Sequence, residues 1–241
     1  SQEGQRFVSD PNAKTYALIL VGASYDEKGE KQFKTWGLEL RKSLIKEFGY
    51  SAKNVTILLG NESKKSIGSD GQANAEGIKN AFAELAKIIK ARDQLLLVMF
   101  GHGSGEGKVS KYQIVGPDLD GFEFAEMMSG LKTQNVVVVN TTSASHGFTE
   151  ALAAPGRVLL SATRSRAEKY DTIFPHYFIE GLQKKNADRD KNDKVSVLES
   201  FIYASNKVAS YYKANDILPS EHATLEDNDD GIFSVDPLRQ K

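Results

Sequence analysis

The chain has 241 residues, 40% of them hydrophobic, and its 31 basic and 32 acidic side chains give a formal net charge of −1. This length and apolar content suffice for the core of one large α/β domain, whereas the balanced charge, without a long basic cluster, argues against nucleic acid as a partner. Cysteine is absent, which excludes disulfides and thiol nucleophiles, and no apolar run approaches the roughly 20 residues of a membrane span.

The chain begins at Ser1 rather than at methionine. This start indicates trimming by a signal peptidase, other processing or cloning, and it is compatible with a periplasmic or secreted origin. Residues 1–14 are polar and predict a loose lead-in. We expect a single domain over residues 15–241.

Strand and helix patterns alternate along this domain. Short apolar runs predict buried strands at residues 16–22, 55–59, 95–100, 136–139 and 157–161. Apolar side chains at helical spacing predict helices at residues 33–48, 78–89, 122–131, 148–153, 174–184 and 197–212. Residues 103–120 are glycine-rich and polar, and the tail predicts an acidic turn at 225–231 before a short strand at 232–235. The alternation predicts an α/β fold with a mainly parallel sheet of five or six strands and helices on both faces.

One histidine lies where this fold would bind a ligand. The strand at 95–100 ends in Gly101-His102-Gly103, and ligands of open α/β sheets bind at the carboxyl ends of the strands. Glycine neighbours leave the imidazole open to close approach; the alternative is a structural histidine. A chemical partner should lie on a neighbouring strand end, which directs attention to residues 140–147, after the four valines at 136–139.

A hydrophobic strand running into His102-Gly103, together with a second strand running into a short loop of small residues, resembles the caspase-like cysteine peptidase clan. Legumain-type peptidases and their bacterial relatives are the nearest match. The resemblance extends from Tyr16 to about Tyr212 and includes the helix with Trp36 and the strand at 155–163. It implies a caspase-like three-layer sandwich, a histidine that acts as general base or acid, and a cysteine nucleophile in the second loop.

The chain departs from this family at the nucleophile. The resemblance aligns Ser143 with the cysteine, Ser145 with the following serine and His146 with the glycine, whereas a gapless count from the valines aligns Thr142 with the cysteine. A hydroxyl ionises far less readily than a thiol, whose ordinary pKa is about 8.5. His146 also adds bulk where the family uses backbone to hold the substrate oxyanion. We therefore expect a non-catalytic homologue that binds a peptide or protein.

The alternative is a hydrolase that uses Ser143, or Thr142, as nucleophile, with His102 as general base and the Gly103 backbone as oxyanion donor. A third alternative is that a native cysteine has been replaced. The resemblance also implies that the loop with Thr163, Arg164, Arg166 and Glu168 walls the substrate pocket. The two arginines would favour an acidic or amide side chain, unless they are solvated surface charges. The oligomeric state stays open.

Residues 188–199 match the spacing of an EF-hand calcium loop. Asp188, Asp190, Asn192, Ser196 and Glu199 occupy positions 1, 3, 5, 9 and 12, and the Lys194 carbonyl is available at position 7. Position 6, normally a glycine with positive φ, is Asp193, a residue type that tolerates this conformation. We expect weak calcium binding; the alternative is a polar turn. A second acidic cluster, at 227–230, lacks a closing glutamate and predicts only a turn.

Overall fold

The computed structural model describes residues 12–60, 68–106 and 109–227. The strands within these ranges are β1 (Thr15–Val21), β2 (Val55–Leu59), β3 (Gly71–Gln72), β4 (Gln94–Phe100), β5 (Gly103–Glu106), β6 (Val109–Tyr112), β7 (Leu119–Asp120), β8 (Val136–Asn140), β9 (Arg157–Ser161) and β10 (Thr224–Asp227). The α-helices are α1 (Glu27–Lys46), α2 (Ala75–Ile88), α3 (Gly121–Ser129), α4 (His146–Leu152), α5 (Phe174–Gln183) and α6 (Val197–Ala214).

The central sheet has seven strands in the order β10-β9-β8-β4-β1-β2-β3. All neighbouring pairs are parallel except β9 and β10, which are antiparallel. The predicted mainly parallel sheet is thus confirmed. It exceeds the expected five or six strands because the two-residue β3 and the antiparallel β10 extend its edges.

Helices cover both faces of the sheet and make three layers. On one face α1, α5 and α6 pack on strand residues such as Ile19 and Val98, with Leu40, Phe178 and Phe201 in the core. On the other face α2, α3 and α4 pack on the alternate strand residues. The long strands are apolar at consecutive positions because both faces are buried.

Two segments differ from the sequence-based prediction. Within the polar segment 103–120, β5, β6 and β7 form a small antiparallel sheet, in which alternate residues such as Ser110 and Tyr112 are buried. Residues 224–227 form β10 rather than the start of an acidic turn, since they pair with β9 from Thr224↔Ser161 to Asp227↔Val158.

Other expectations concern the ends of the chain. Residues 1–11, the proposed strand at 232–235 and most of the acidic cluster at 227–230 lie outside the described residues. Lys14 is held in place, because its N–H donates to Asp93 Oδ1 at 2.9 Å and its carbonyl accepts from Gln94 N. None of the helices in the described ranges is long and apolar enough to cross a membrane.

The register of the parallel strands aligns their carboxyl ends. Val21 lies opposite Phe100, Met99 opposite Asn140, and Asn140 opposite Ser161. The loops that follow β1, β4, β8 and β9 therefore leave the sheet at the same edge, and this edge carries the candidate site.

Candidate functional site

His102 follows β4 at this edge and is 8% exposed. Its Nδ1 lies 2.8 Å from Asp171 Oδ1. The Tyr25 ring stacks on the imidazole with 4.6 Å between ring centroids, and the Phe33 ring meets it edge-on at 5.0 Å. The imidazole is thus oriented by one carboxylate and two aromatic rings.

The loop after β8 contacts the loop after β4, as predicted from the order of the strands. Ser143 is 3% exposed; its hydroxyl donates to the Gly103 carbonyl at 3.0 Å and accepts from the Gly103 N–H at 3.2 Å. The Thr142 hydroxyl donates to Asn140 Oδ1 at 2.7 Å. Among the described residues, the His102 ring makes its hydrogen bond to Asp171 and none to either hydroxyl.

The loops after β4 and β8 come so close together at Gly103 that there is no space for a side chain on this residue. A Cβ atom on this residue would overlap the Ser143 carbonyl oxygen and would lie 2.8 Å from Thr142 Oγ1. On the other side of the contact, Ala144 has a φ of 51°, a conformation rare for a residue with a side chain. Its N–H donates to the Glu168 carbonyl at 2.7 Å, which ties the turn to the loop after β9.

Ser145 and His146 contact the loop after β9 rather than an open cleft. Ser145 Oγ lies 2.8 Å from Ser161 Oγ and 3.2 Å from Thr163 Oγ1, and His146 N donates to Thr163 Oγ1 at 3.2 Å. Burial, assisted by the charge of Arg166, lowers the pKa of the His146 imidazole, although nearby carboxylates oppose the shift. His146 is the first residue of α4.

Arg164 and Arg166 both form ion pairs. Arg164 Nε lies 3.6 Å from Glu168 Oε1, and Arg166 pairs with Glu150. Glu168 also bonds to His222. The charges of the two arginines are thus compensated by carboxylates of α4 and of their own loop.

A cavity of about 310 Å³ opens beside His102. It lies between the start of α1, the end of β4 and the segment that precedes α5. The residues that line it do not include Thr142, Ser143, Arg164 or Arg166; they include Tyr25, Asp26, Phe33, Trp36, His102 and Asp171.

Sequence reasoning missed Asp171 and Tyr25. Asp171 lies 69 residues after His102 in a loop without periodicity, and Tyr25 lies in the polar loop after β1. A signal was available for Tyr25, since β1 and β4 were both predicted as parallel strands whose carboxyl ends share one edge.

The loop at 188–199 has two non-glycine residues with positive φ and a cluster of three acidic residues. Asp193 at position 6 has a φ of 63°, and Lys191 has a φ of 59°. One carboxylate oxygen each from Asp188, Asp190 and Glu199 lies within 4.8 Å of the others. The loop lies between α5 with its short 3₁₀ extension and α6.

Several of these oxygens already accept hydrogen bonds within the loop. Glu199 accepts from the N–H groups of Arg189 and Ser196 at 2.8 Å each and from Asp190 N at 3.3 Å. Burial raises the pKa of the Glu199 carboxyl, but the hydrogen bonds together outweigh burial and lower the pKa. Asn192 Oδ1 accepts from Lys194 N. The donor set suits a hard cation with oxygen ligands, which would compete with amide N–H groups for Glu199.

Comparison with known proteins supports the fold alone. No protein-family model matches the chain, and no curated protein matches it. Among solved structures, the chain is similar to protein GSU0716 from Geobacter sulfurreducens, with a TM-score of 0.55 and 14% identity over 88% of this chain and 92% of that one. The α/β sandwich described above is therefore an architecture that experimentally determined proteins also adopt.

Proposed function

We propose that this chain is a caspase-like, legumain-type peptidase homologue that binds a peptide or protein segment at the sheet edge without cleaving it. The observation that carries the proposal is the bonding of Ser143. Its hydroxyl donates to the Gly103 carbonyl and accepts from the Gly103 N–H. The hydroxyl that would act as nucleophile and the N–H that would bind the oxyanion are thus hydrogen-bonded to each other.

The missing thiol is the second support for a non-catalytic role. A serine hydroxyl becomes nucleophilic when a general base takes its proton along a hydrogen bond. Ser143 makes its donor bond to a carbonyl, which takes no proton, and Thr142 makes its own to the Asn140 side chain. Chemistry at either hydroxyl requires a rearrangement of two buried side chains.

The open cavity beside His102 supports a binding role. At about 310 Å³ it falls within the usual size range of small ligand pockets, roughly 300–1,000 Å³. Aromatic rings and carboxylates line it, and a peptide side chain can enter it without contact with Ser143. Recognition and cleavage are therefore separable in this protein.

A serine hydrolase is the second candidate, and one observation favours it. The Asp171 carboxylate lies 2.8 Å from His102 Nδ1. In serine hydrolases a carboxylate at this nitrogen holds the imidazole in the tautomer whose other nitrogen accepts the nucleophile's proton. This candidate requires Ser143 to exchange its bond to Gly103 for one to His102.

A fluorophosphonate probe, which labels activated serines, separates the two candidates. The wild type is compared with Ser143→Ala, His102→Ala and the exposed-site control Ser129→Ala, and the same proteins are titrated with a fluorescent peptide library. We expect no labelling, together with saturable peptide binding that Ser143→Ala leaves unchanged. Labelling that both Ser143→Ala and His102→Ala abolish would establish the hydrolase. Binding of no peptide by folded protein would refute the binding role.

We also propose that the loop at 188–199 binds calcium weakly. Three converging carboxylates, Asp188, Asp190 and Glu199, support this proposal, as does the positive φ of Asp193 at the position where EF-hand loops use glycine. The Lys194 carbonyl and the Asn192 and Ser196 side chains complete the donor set that the spacing predicts.

Calorimetry on chelator-treated protein tests the calcium proposal. We expect binding heat in the millimolar to sub-millimolar range typical of weak sites, about 10⁻⁴–10⁻³ M, and its loss in Asp188→Asn and Glu199→Gln. Glu126→Gln, on α3, is the matched control and should bind as the wild type does. If millimolar calcium gives no heat with the wild type, the loop is only a turn.

A further inference from the structure

The cavity beside His102 has an aromatic wall. The Tyr25 ring lies on the imidazole, the Phe33 ring meets the imidazole edge-on, and the Trp36 ring lies 5.8 Å from that of Phe33. Tyr25 is 77% exposed, although a ring of this size usually gains from burial. The faces of such rings attract a cation within about 6 Å of the centroid.

The charge around the cavity is negative. Asp26 and Asp171 line it, and Lys28 is the one lysine or arginine among its lining residues. The Asp171 side chain is 78% exposed and bonds to His102 through Oδ1, while Asp26 accepts from Gly29 N at the start of α1. Both carboxylates line the cavity, are exposed to solvent and have capacity for a further donor.

The two arginines that the sequence suggested for this role do not line the cavity. Arg164 and Arg166 pair with Glu168 and Glu150, so neither provides positive charge to attract an acidic ligand. The cavity therefore differs in charge from a pocket walled by these two arginines, and its ligand should carry positive charge.

We propose that this cavity receives the side chain of an arginine or lysine in the bound peptide. A guanidinium suits it best, because its plane stacks on aromatic rings while its N–H groups bond to carboxylates. The ammonium of lysine can use the same rings and charges with fewer bonds. This inference rests on the proposed binding function and specifies the class of peptide.

Trp36 provides a direct readout, because it is the only tryptophan in the chain and lines the cavity. Its fluorescence is titrated with the Nα-acetyl amides of arginine, lysine, norleucine and aspartate. Norleucine matches the lysine stem without the charge. We expect saturable changes with arginine and lysine, and binding of norleucine and aspartate weaker by about tenfold or more, as for loss of a charge-assisted hydrogen bond.

Charge variants test the role of each group. Asp26→Asn keeps a side chain that caps helices well but removes the charge, and Asp171→Asn keeps a polar partner for His102. Each should weaken arginine binding about threefold to tenfold, as should Tyr25→Ala through the lost cation–π contact. Lys28→Gln should strengthen binding, since it removes the competing cation. Glu84→Gln, on α2 and remote from the cavity, should change nothing.

The outcomes separate this inference from the proposed function. Equal binding of arginine and norleucine amides, or tighter binding of aspartate, overturns the inference. Library peptides that bind without a basic residue overturn it as well and leave the binding function intact. If the arginine amide binds and no peptide does, the cavity chemistry stands and the peptide-binding function fails. If neither binds, both fail.

Discussion

Gly103→Ala should destabilise the protein strongly, because the contact between the loops after β4 and β8 leaves no space for a methyl group. The added Cβ would overlap the backbone carbonyl of Ser143 and approach Thr142 Oγ1 to 2.8 Å. The first obstacle is backbone, and the second is the hydroxyl of a fully buried threonine that is hydrogen-bonded to Asn140. Relief requires the two loops to separate, although they are anchored to adjacent strands paired from Leu95↔Val136 to Met99↔Asn140.

The expected cost follows from two contributions. Separation of the loops breaks the two hydrogen bonds between Gly103 and Ser143, each worth about 1 kcal/mol. Overpacking of a tight interior adds about 1–3 kcal/mol. The sum is about 3–5 kcal/mol, and a loss of about 3 kcal/mol lowers the Tm of a domain of this size by roughly 6–12 °C.

Thermal unfolding followed by circular dichroism measures this loss, and Gly130→Ala is the matched control. Gly130 ends α3, and a Cβ there would have its nearest neighbour at 3.6 Å, so we expect a change within about 0.5 kcal/mol. If Gly103→Ala unfolds within about 2 °C of the control, the two loops are not packed as described. The hydrogen-bonded state of Ser143, which carries the proposed function, would then lose its basis.

Three further predictions concern stability. Burial raises the pKa of Glu221 although Ile173 N, Phe174 N and the Tyr212 hydroxyl donate to it. The stability that Glu221 contributes is therefore largest below the ordinary carboxyl pKa and is lost as pH rises through the folded-state pKa. The Tm of Glu221→Gln relative to wild type should rise from pH 4 to 7, and a constant difference would contradict the shift. Phe124→Ala should cost about 3–5 kcal/mol in urea unfolding, because Phe124 is fully buried among aromatic rings; a loss below about 1 kcal/mol would contradict this packing. Asn74→Ala should lose about 1 kcal/mol with the cap on Gly77 N, whereas Asn74→Asp should keep it.

The sheet was predictable because its strands are buried on both faces. Consecutive apolar residues, as in β4 and β8, have few alternatives to a central parallel strand. β10 was missed because its sequence is half acidic, and the buried Glu226, 1% exposed, contradicts the usual exposure of glutamate. The small β5-β6-β7 sheet was missed because glycines and short strands carry little periodicity.

Of the candidate site, the sequence predicted only the two loops that follow β4 and β8. His102 and residues 141–145 follow long apolar runs, so the order of the strands suffices to bring them together. Asp171 reaches the imidazole from a loop whose course depends on tertiary packing, and one sequence carries no signal for that course. The position of Tyr25 after β1 indicated the sheet edge but not the contact of its ring with His102. The ion pairs of Arg164 with Glu168 and of Arg166 with Glu150 were not predictable for the same reason, because they depend on contacts between loops.

The arrangement of His102 gives a physical reason why the proposed binding does not depend on cleavage. The same imidazole borders the cavity and adjoins the loop contact with Ser143, yet Asp171 and Tyr25 hold it from the cavity side. Its orientation is therefore maintained by groups that a ligand in the cavity would also contact, rather than by the hydroxyl. In the proposed peptidase homologue, the hydroxyl at position 143 takes part in none of these contacts, so the shape and charge of the cavity do not depend on a nucleophile there.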